Sequence, residues 1–252
     1  MRETPVNLGG PAEFVLPRPV KVTIVPAGHP ALLAEGDTVT LLQALGGTAT
    51  VTTSDGEMAR LTPADAVELG FIEAPAARAD DAGAEFSVDQ VWEAAATVYD
   101  PEIPVDIVEL GLVYRVDAIE LPNGGWRVEI DMSVTAPFCG MGDIMRQDLH
   151  DAVARIPGVD FVEVQLVFDP PWDSSRLSDV ARLELGMMYK KLGSRVTVLE
   201  ATPGALPGQE RDCVKIIERS LKKMKIDLRT ETFARGYEAA GKETHVRIES
   251  KK

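Results

Sequence analysis

The chain has 252 residues, 45% hydrophobic and 26% charged, which are the proportions of an ordinary globular protein and exclude disorder over the whole length. Two cysteines exclude a disulfide framework, and no apolar run of signal-peptide or membrane-spanning length occurs, so a cytoplasmic protein with no membrane partner is expected. A net charge of −14 argues against a nucleic-acid partner, because binding phosphates requires a basic surface.

The charge is unevenly placed. Residues 1–188 hold 11 basic and 31 acidic side chains, whereas residues 189–252 hold 15 and 9. So abrupt a change points to two segments of different history.

Residues 1–19 are rich in proline and glycine and read as an irregular or edge-like arm. Residues 20–72 form a small all-β unit: the runs VKVTIV, DTVTLLQAL, TATVTTS and EMARL are separated by AGHP, LGGT and SDGE, predicting four or so strands. A short helix follows, with Thr62 as its N-cap, Pro63 in its first turn and Gly70 as terminator. His29 reads as a turn residue. Residues 73–86, alanine-rich and acidic without an apolar stripe, read as a linker.

Ser87 caps a helix whose apolar residues Val88, Trp92, Ala95, Ala96 and Tyr99 share one face. The sequence Asp100-Pro101-Glu102-Ile103-Pro104 stops it in a rigid corner. Next come VDIVELGLVYRVDAI, a turn at Pro122-Asn123-Gly124-Gly125, and the strand WRVEIDMSVT, in which Val128, Ile130, Met132 and Val134 alternate with polar residues. TAPFCGMG then turns the chain into a second amphipathic helix that ends at Pro157-Gly158. VDFVEVQLVF is the last strand, closed by Asp169-Pro170-Pro171-Trp172. The order helix-strand-strand-helix-strand predicts an α+β layer.

Cys139 stands just ahead of the second helix. Free cysteines are mostly small buried hydrophobes. A cysteine at a helix start is also a candidate thiolate, because the N-terminal N–H groups favour negative charge there. Asp100 and Glu102 have more than one reading as well: hard secondary ligands or hydrogen-bond acceptors behind a ligand, or caps of the helix-to-strand corner. Cys213 reads as a partly buried helix residue.

DPEIPVDIVELGLVY, TAPFCGMG, VEVQLVFDPPW and the closing RLELGM together resemble the bacterial SufT-type iron-sulfur assembly family, which is related to the PaaD maturation factors. The resemblance spans residues 20–187, with 87–187 as the assembly domain. It implies a non-enzymatic accessory factor in iron-sulfur cluster assembly or delivery to client proteins. Its implied site residues are Cys139 as the cluster-linked metal ligand, with Asp100 and Glu102 as the acidic turn beside it. Its implied cargo is a transiently bound iron-sulfur cluster, and its implied partners are scaffold or carrier proteins and client apoproteins. A single thiolate cannot close a site that takes four, so a homodimer, a partner or a small thiol would complete it.

Residues 188–252 resemble part of the nicotinamide domain of dihydrolipoamide dehydrogenase, a partial Rossmann-like tail. There Glu200 would hold ribose hydroxyls, but no Gly-rich loop precedes it, and Gly140-Met141-Gly142 lacks the third glycine. No NAD or FAD is therefore expected. Two alternatives to the accessory-factor reading remain: a fused dinucleotide-dependent redox protein, and a cluster-independent scaffold for maturation partners.

Overall fold

The computed structural model describes residues 13–73, 85–136, 139–241 and 243–251. Residues 1–12 of the expected arm, 74–84 of the expected linker, and Pro137 and Phe138 of the cysteine motif lie outside the described residues. By its internal packing the chain divides into Met1–Arg176 and Leu177–Lys252.

In the first unit, β1 (Glu13–Val15), β2 (Val20–Val25), β3 (Pro30–Leu33), β4 (Thr38–Leu45), β5 (Thr48–Thr53) and β6 (Met58–Leu61) form one antiparallel sheet in the order β1-β4-β5-β6-β2-β3. Six strands form where four or so were expected, because β1 and β3 are too short to show a period. Val20, Val22 and Ile24 bury one face of β2, joined by Val39, Val51, Leu61 and Leu16. The helix α1 (Pro63–Glu68) closes this core with Ala66; the Thr62 side chain accepts the N–H of Asp65 at 3.2 Å, and Gly70 follows with φ +76°.

The same unit continues through α2 (Val88–Ala95), β7 (Val113–Glu120), β8 (Trp126–Met132), α3 (Gly142–Val153) and β9 (Val159–Leu166). The Gln90 side chain accepts the Ser87 N–H at the start of α2. The helix stops with Ala96 as its C-cap, short of the expected Tyr99, because the chain must extend ahead of Pro101 and Tyr99 bridges to Asp106. Likewise β7 begins only at Val113; residues 105–112 are turns rather than the strand expected. β8 is the central strand, antiparallel to β7 and parallel to β9. Val128, Ile130 and Met132 face the core with Met145, Leu149 and Val153 of α3, the apolar stripe of that helix. The other face carries Arg115 paired with Asp131 and Arg127 paired with Glu163.

The second unit contains α4 (Asp179–Lys191), β10 (Thr197–Leu199), α5 (Arg211–Lys223), β11 (Asp227–Arg229), β12 (Thr232–Ala240) and β13 (Glu243–Ser250). β10 and β11 are parallel, and β12 and β13 form a separate hairpin. The boundary expected at 187 falls inside α4. That helix packs Val180, Leu183 and Met187 onto Leu206, Val214, Leu221 and Ile226, so the chain divides ahead of it. Cys213 is exposed, not partly buried as expected: it lies in the first turn of α5, where Val214 takes the inward position. No described helix is long and apolar enough to cross a membrane.

Candidate functional site

The register of the three-stranded sheet gathers the motifs. Val113 pairs with Met132, and Met132 pairs with Leu166, so the start of β7 and the ends of β8 and β9 share one edge. The Ser133 N–H donates to Leu112 O at 2.8 Å and the Val167 N–H to Met132 O at 2.8 Å, carrying the pairing just past the strands. From this edge leave the acidic corner before β7, the cysteine turn between β8 and α3, and the DPPW segment after β9. In a strand-helix-strand crossover this is the edge at which ligands meet a helix N-terminus.

In the corner, Asp100 is 7% exposed and its Oδ1 accepts the N–H groups of Glu102 at 2.8 Å and Ile103 at 2.9 Å. The carboxylate therefore caps a turn in which Pro101 and Pro104 offer no donors. Burial pushes its pKa up, opposed by those two hydrogen bonds. Glu102 is also raised, by burial and then by the charge of Asp100. Asp106 repeats the device, accepting from Val108 and Glu109, and burial raises it too. Three partly desolvated carboxylates so close in sequence are a feature of functional sites as well as of structural turns.

Cys139 is partly exposed. Its N–H donates to Ala136 O at 3.2 Å and its carbonyl accepts the Gly142 N–H at 3.1 Å, so the residue lies within a tight turn ahead of α3. Met141, 1% exposed, anchors the turn in the core. Among the described residues no hydrogen bond joins Cys139 to Asp100 or Glu102, and no group of three or more His, Cys, Asp or Glu side chains could hold a metal ion.

The DPPW segment folds back onto the β7 approach. The Trp172 indole N–H donates to Leu110 O at 2.9 Å, and the Arg176 guanidinium lies 3.8 Å over the Tyr114 ring. Gly111, with φ +65°, fits against the Arg176 backbone. Among the described residues the buried Tyr114 hydroxyl has no hydrogen-bond partner.

The N-terminal sheet supplies contacts that no sequence motif announced. Gln43 Nε2 donates to Asp100 O at 3.0 Å, Arg60 pairs with Asp148 of α3, and the β2–β3 turn abuts Gly140. A groove of about 420 Å³ runs between Leu42, Leu45 and Met58 on the sheet and Pro101, Glu102 and Pro104 on the corner. His29 is exposed in the β2–β3 turn, and His150 bonds its neighbour Asp151. In the second unit Glu200, at the end of β10, accepts the Thr202 N–H at 2.6 Å.

Known proteins match the two units separately. The profile of the iron-sulfur cluster assembly proteins matches residues 88–166, and that of the pyridine nucleotide-disulphide oxidoreductases matches residues 179–251. An Fe-S protein maturation auxiliary factor of Porphyromonas gingivalis is 40% identical over 92 residues, which are 36% of this chain and 84% of that protein. The maturation auxiliary factor SufT of Staphylococcus aureus is 36% identical over 90 residues, 36% of this chain and 98% of its own. A dihydrolipoyl dehydrogenase of Thermus scotoductus is 40% identical over 68 residues, 27% of this chain but only 15% of that enzyme. The profile match takes in the acidic corner, the cysteine turn and the last strand, and with a maturation factor 40% identical over 84% of its own length the chain belongs to the iron-sulfur cluster assembly protein family.

Proposed function

We propose that the protein is a non-enzymatic accessory factor that assists iron-sulfur cluster assembly or delivery by meeting the cluster through Cys139, with Asp100 and Glu102 shaping the adjoining corner. The observation that carries this reading is the convergence of the corner, the cysteine turn and the DPPW segment on one sheet edge. The family profile spans the corner and the cysteine turn, and relatives of this chain are named as maturation auxiliary factors.

The cluster is cargo. A soft thiolate suits iron in such clusters, and four ligands are needed where this chain offers one cysteine. The remaining ligands come from a scaffold or carrier protein, a client apoprotein or a second copy of the chain. Transfer is then ligand exchange without net oxidation: an Fe–S bond to a carrier thiolate breaks, one to the Cys139 thiolate forms, and the proton released by Cys139 passes to the departing thiolate. A partly exposed ligand at a surface turn favours passage over storage. The dinucleotide-dependent redox reading is not favoured, since no Gly-rich phosphate loop precedes the segment that ends in Glu200.

The test is anaerobic reconstitution with iron and sulfide, read by absorbance, alongside complementation of a maturation defect in cells. Wild type is expected to develop cluster bands and Cys139→Ser to lose most of them. Equal bands in the two proteins would remove Cys139 from the site.

A further inference from the structure

The β2–β3 turn, residues 26–29, lies outside the segment matched to the assembly family, yet it packs against the cysteine turn. A methyl group on Gly28 would overlap the carbonyl of Gly140, and one on Gly140 would overlap the carbonyl of Ala27. Two backbones approach so closely only where both residues lack a Cβ. Gly28 also has φ +73°, and its N–H donates to Ile24 O at 2.8 Å, so the turn holds its own shape while it makes the contact.

Two further attachments fix the N-terminal sheet. Arg60 of β6 pairs with Asp148 of α3, with the side chains 11% and 27% exposed. Gln43 of β4 donates to Asp100 O, and a methyl group on nearby Gly46 would lie 2.6 Å from Thr97 O. The three attachments thus reach the helix that follows the cysteine, the cysteine turn itself and the acidic corner.

We infer that the β2–β3 turn is a positioning element of the cysteine site, seating residues 139 and 140 so that the thiol is presented from one side only. This rests on the reading of Cys139 as the residue that meets the cluster. A turn held on its backbone by a neighbouring sheet is ordered during folding, so a partner does not have to order it on encounter.

Native-state alkylation with iodoacetamide, read peptide by peptide, tests the seating. Exposed Cys213 in the other unit serves as the reference thiol within the same molecule. In Gly28→Ala the Cys139 rate relative to Cys213 is expected to rise about fivefold or more, because the added methyl displaces the turn and opens the thiol to reagent. Arg60→Ala loosens the sheet from α3 without touching the turn and is expected to move the ratio in the same direction, with Arg60→Lys restoring most of the wild-type value. Should Gly28→Ala lose its far-UV dichroism, the Arg60 pair decides alone. A ratio within about twofold of wild type in the folded variants overturns the inference. Failure of the cluster reading looks different: Cys139→Ser would still take up cluster, while these labelling ratios would change as described.

Discussion

Asp100 illustrates how one side chain serves two demands. Its Oδ1 satisfies the N–H groups of Glu102 and Ile103, and at 7% exposure its charge has little water around it. Its folded-state pKa is raised, chiefly by burial. A raised carboxylate holds its proton longer in the folded chain than in the unfolded one. Its contribution to stability is therefore fully present below the unfolded pKa and is lost as pH rises through the folded one. Glu102 and Asp106 shift in the same direction and add to this slope. Asp100→Asn keeps an oxygen for the two N–H groups and removes the buried charge. Its urea midpoint should equal or exceed that of wild type at neutral pH and fall less from the ordinary carboxylate range upward. Asp100→Ala removes the acceptor and should cost about 2 kcal/mol below the ordinary carboxylate range and less at neutral pH, where wild type bears the buried charge. All three tryptophans, Trp92, Trp126 and Trp172, lie in the first unit, so their fluorescence reports on the unit that contains the corner. A midpoint for Asp100→Asn well below that of wild type at pH 7 would contradict this account.

Among the elements, the comparison of Gly111 with Gly124 separates backbone strain from close approach. Both have positive φ, +65° and +82°. A methyl group on Gly124, in the β7–β8 turn, would meet nothing among the described residues, whereas one on Gly111 would run into the backbone of Arg176. Gly124→Ala should therefore cost about 1 kcal/mol, the left-handed penalty alone, and Gly111→Ala about 3 kcal/mol or more, measured by chemical unfolding. Equal costs would mean that the DPPW segment yields freely. The same two glycines show what was legible beforehand. The turn at Pro122-Asn123-Gly124-Gly125 stands between two periodic runs and could be read locally, as could β8 and α3 from their apolar stripes. Residues 105–112 could not, because the apolar run that suggests a strand is broken by Asp106 capping its own turn and by Gly111 serving a contact 65 positions away. Cys139 and the acidic corner were visible as motifs. Their shared edge follows from strand register, and the seating by Gly28 follows from a contact between distant segments, which leaves no period in the sequence.

At the scale of the molecule, the two units differ in charge and in how well they bury what they have. Met1–Arg176 holds 10 basic and 29 acidic residues, Leu177–Lys252 holds 16 and 11. The first unit has two sheets of three or more strands, each with a helix over its apolar face, the arrangement needed for independent stability. In the second, β10 and β11 form a two-stranded parallel sheet, and every residue of β13 is exposed. An apolar pocket of about 400 Å³ opens between α4 and β10, lined by Leu183, Tyr189, Val198 and Leu206 among others. Close packing is what makes opening costly, and side chains that line a void have partners on one side only. Amides of β10, β11 and α5 should therefore exchange through openings of lower free energy than those of β8 and β9. Hydrogen exchange of the full chain under native conditions is expected to show the former at least about tenfold faster, a difference of roughly 1.4 kcal/mol in opening free energy. Protection in α5 as deep as in β8 would mean that the second unit closes its core through contacts other than those among Leu183, Leu206, Val214 and Leu221.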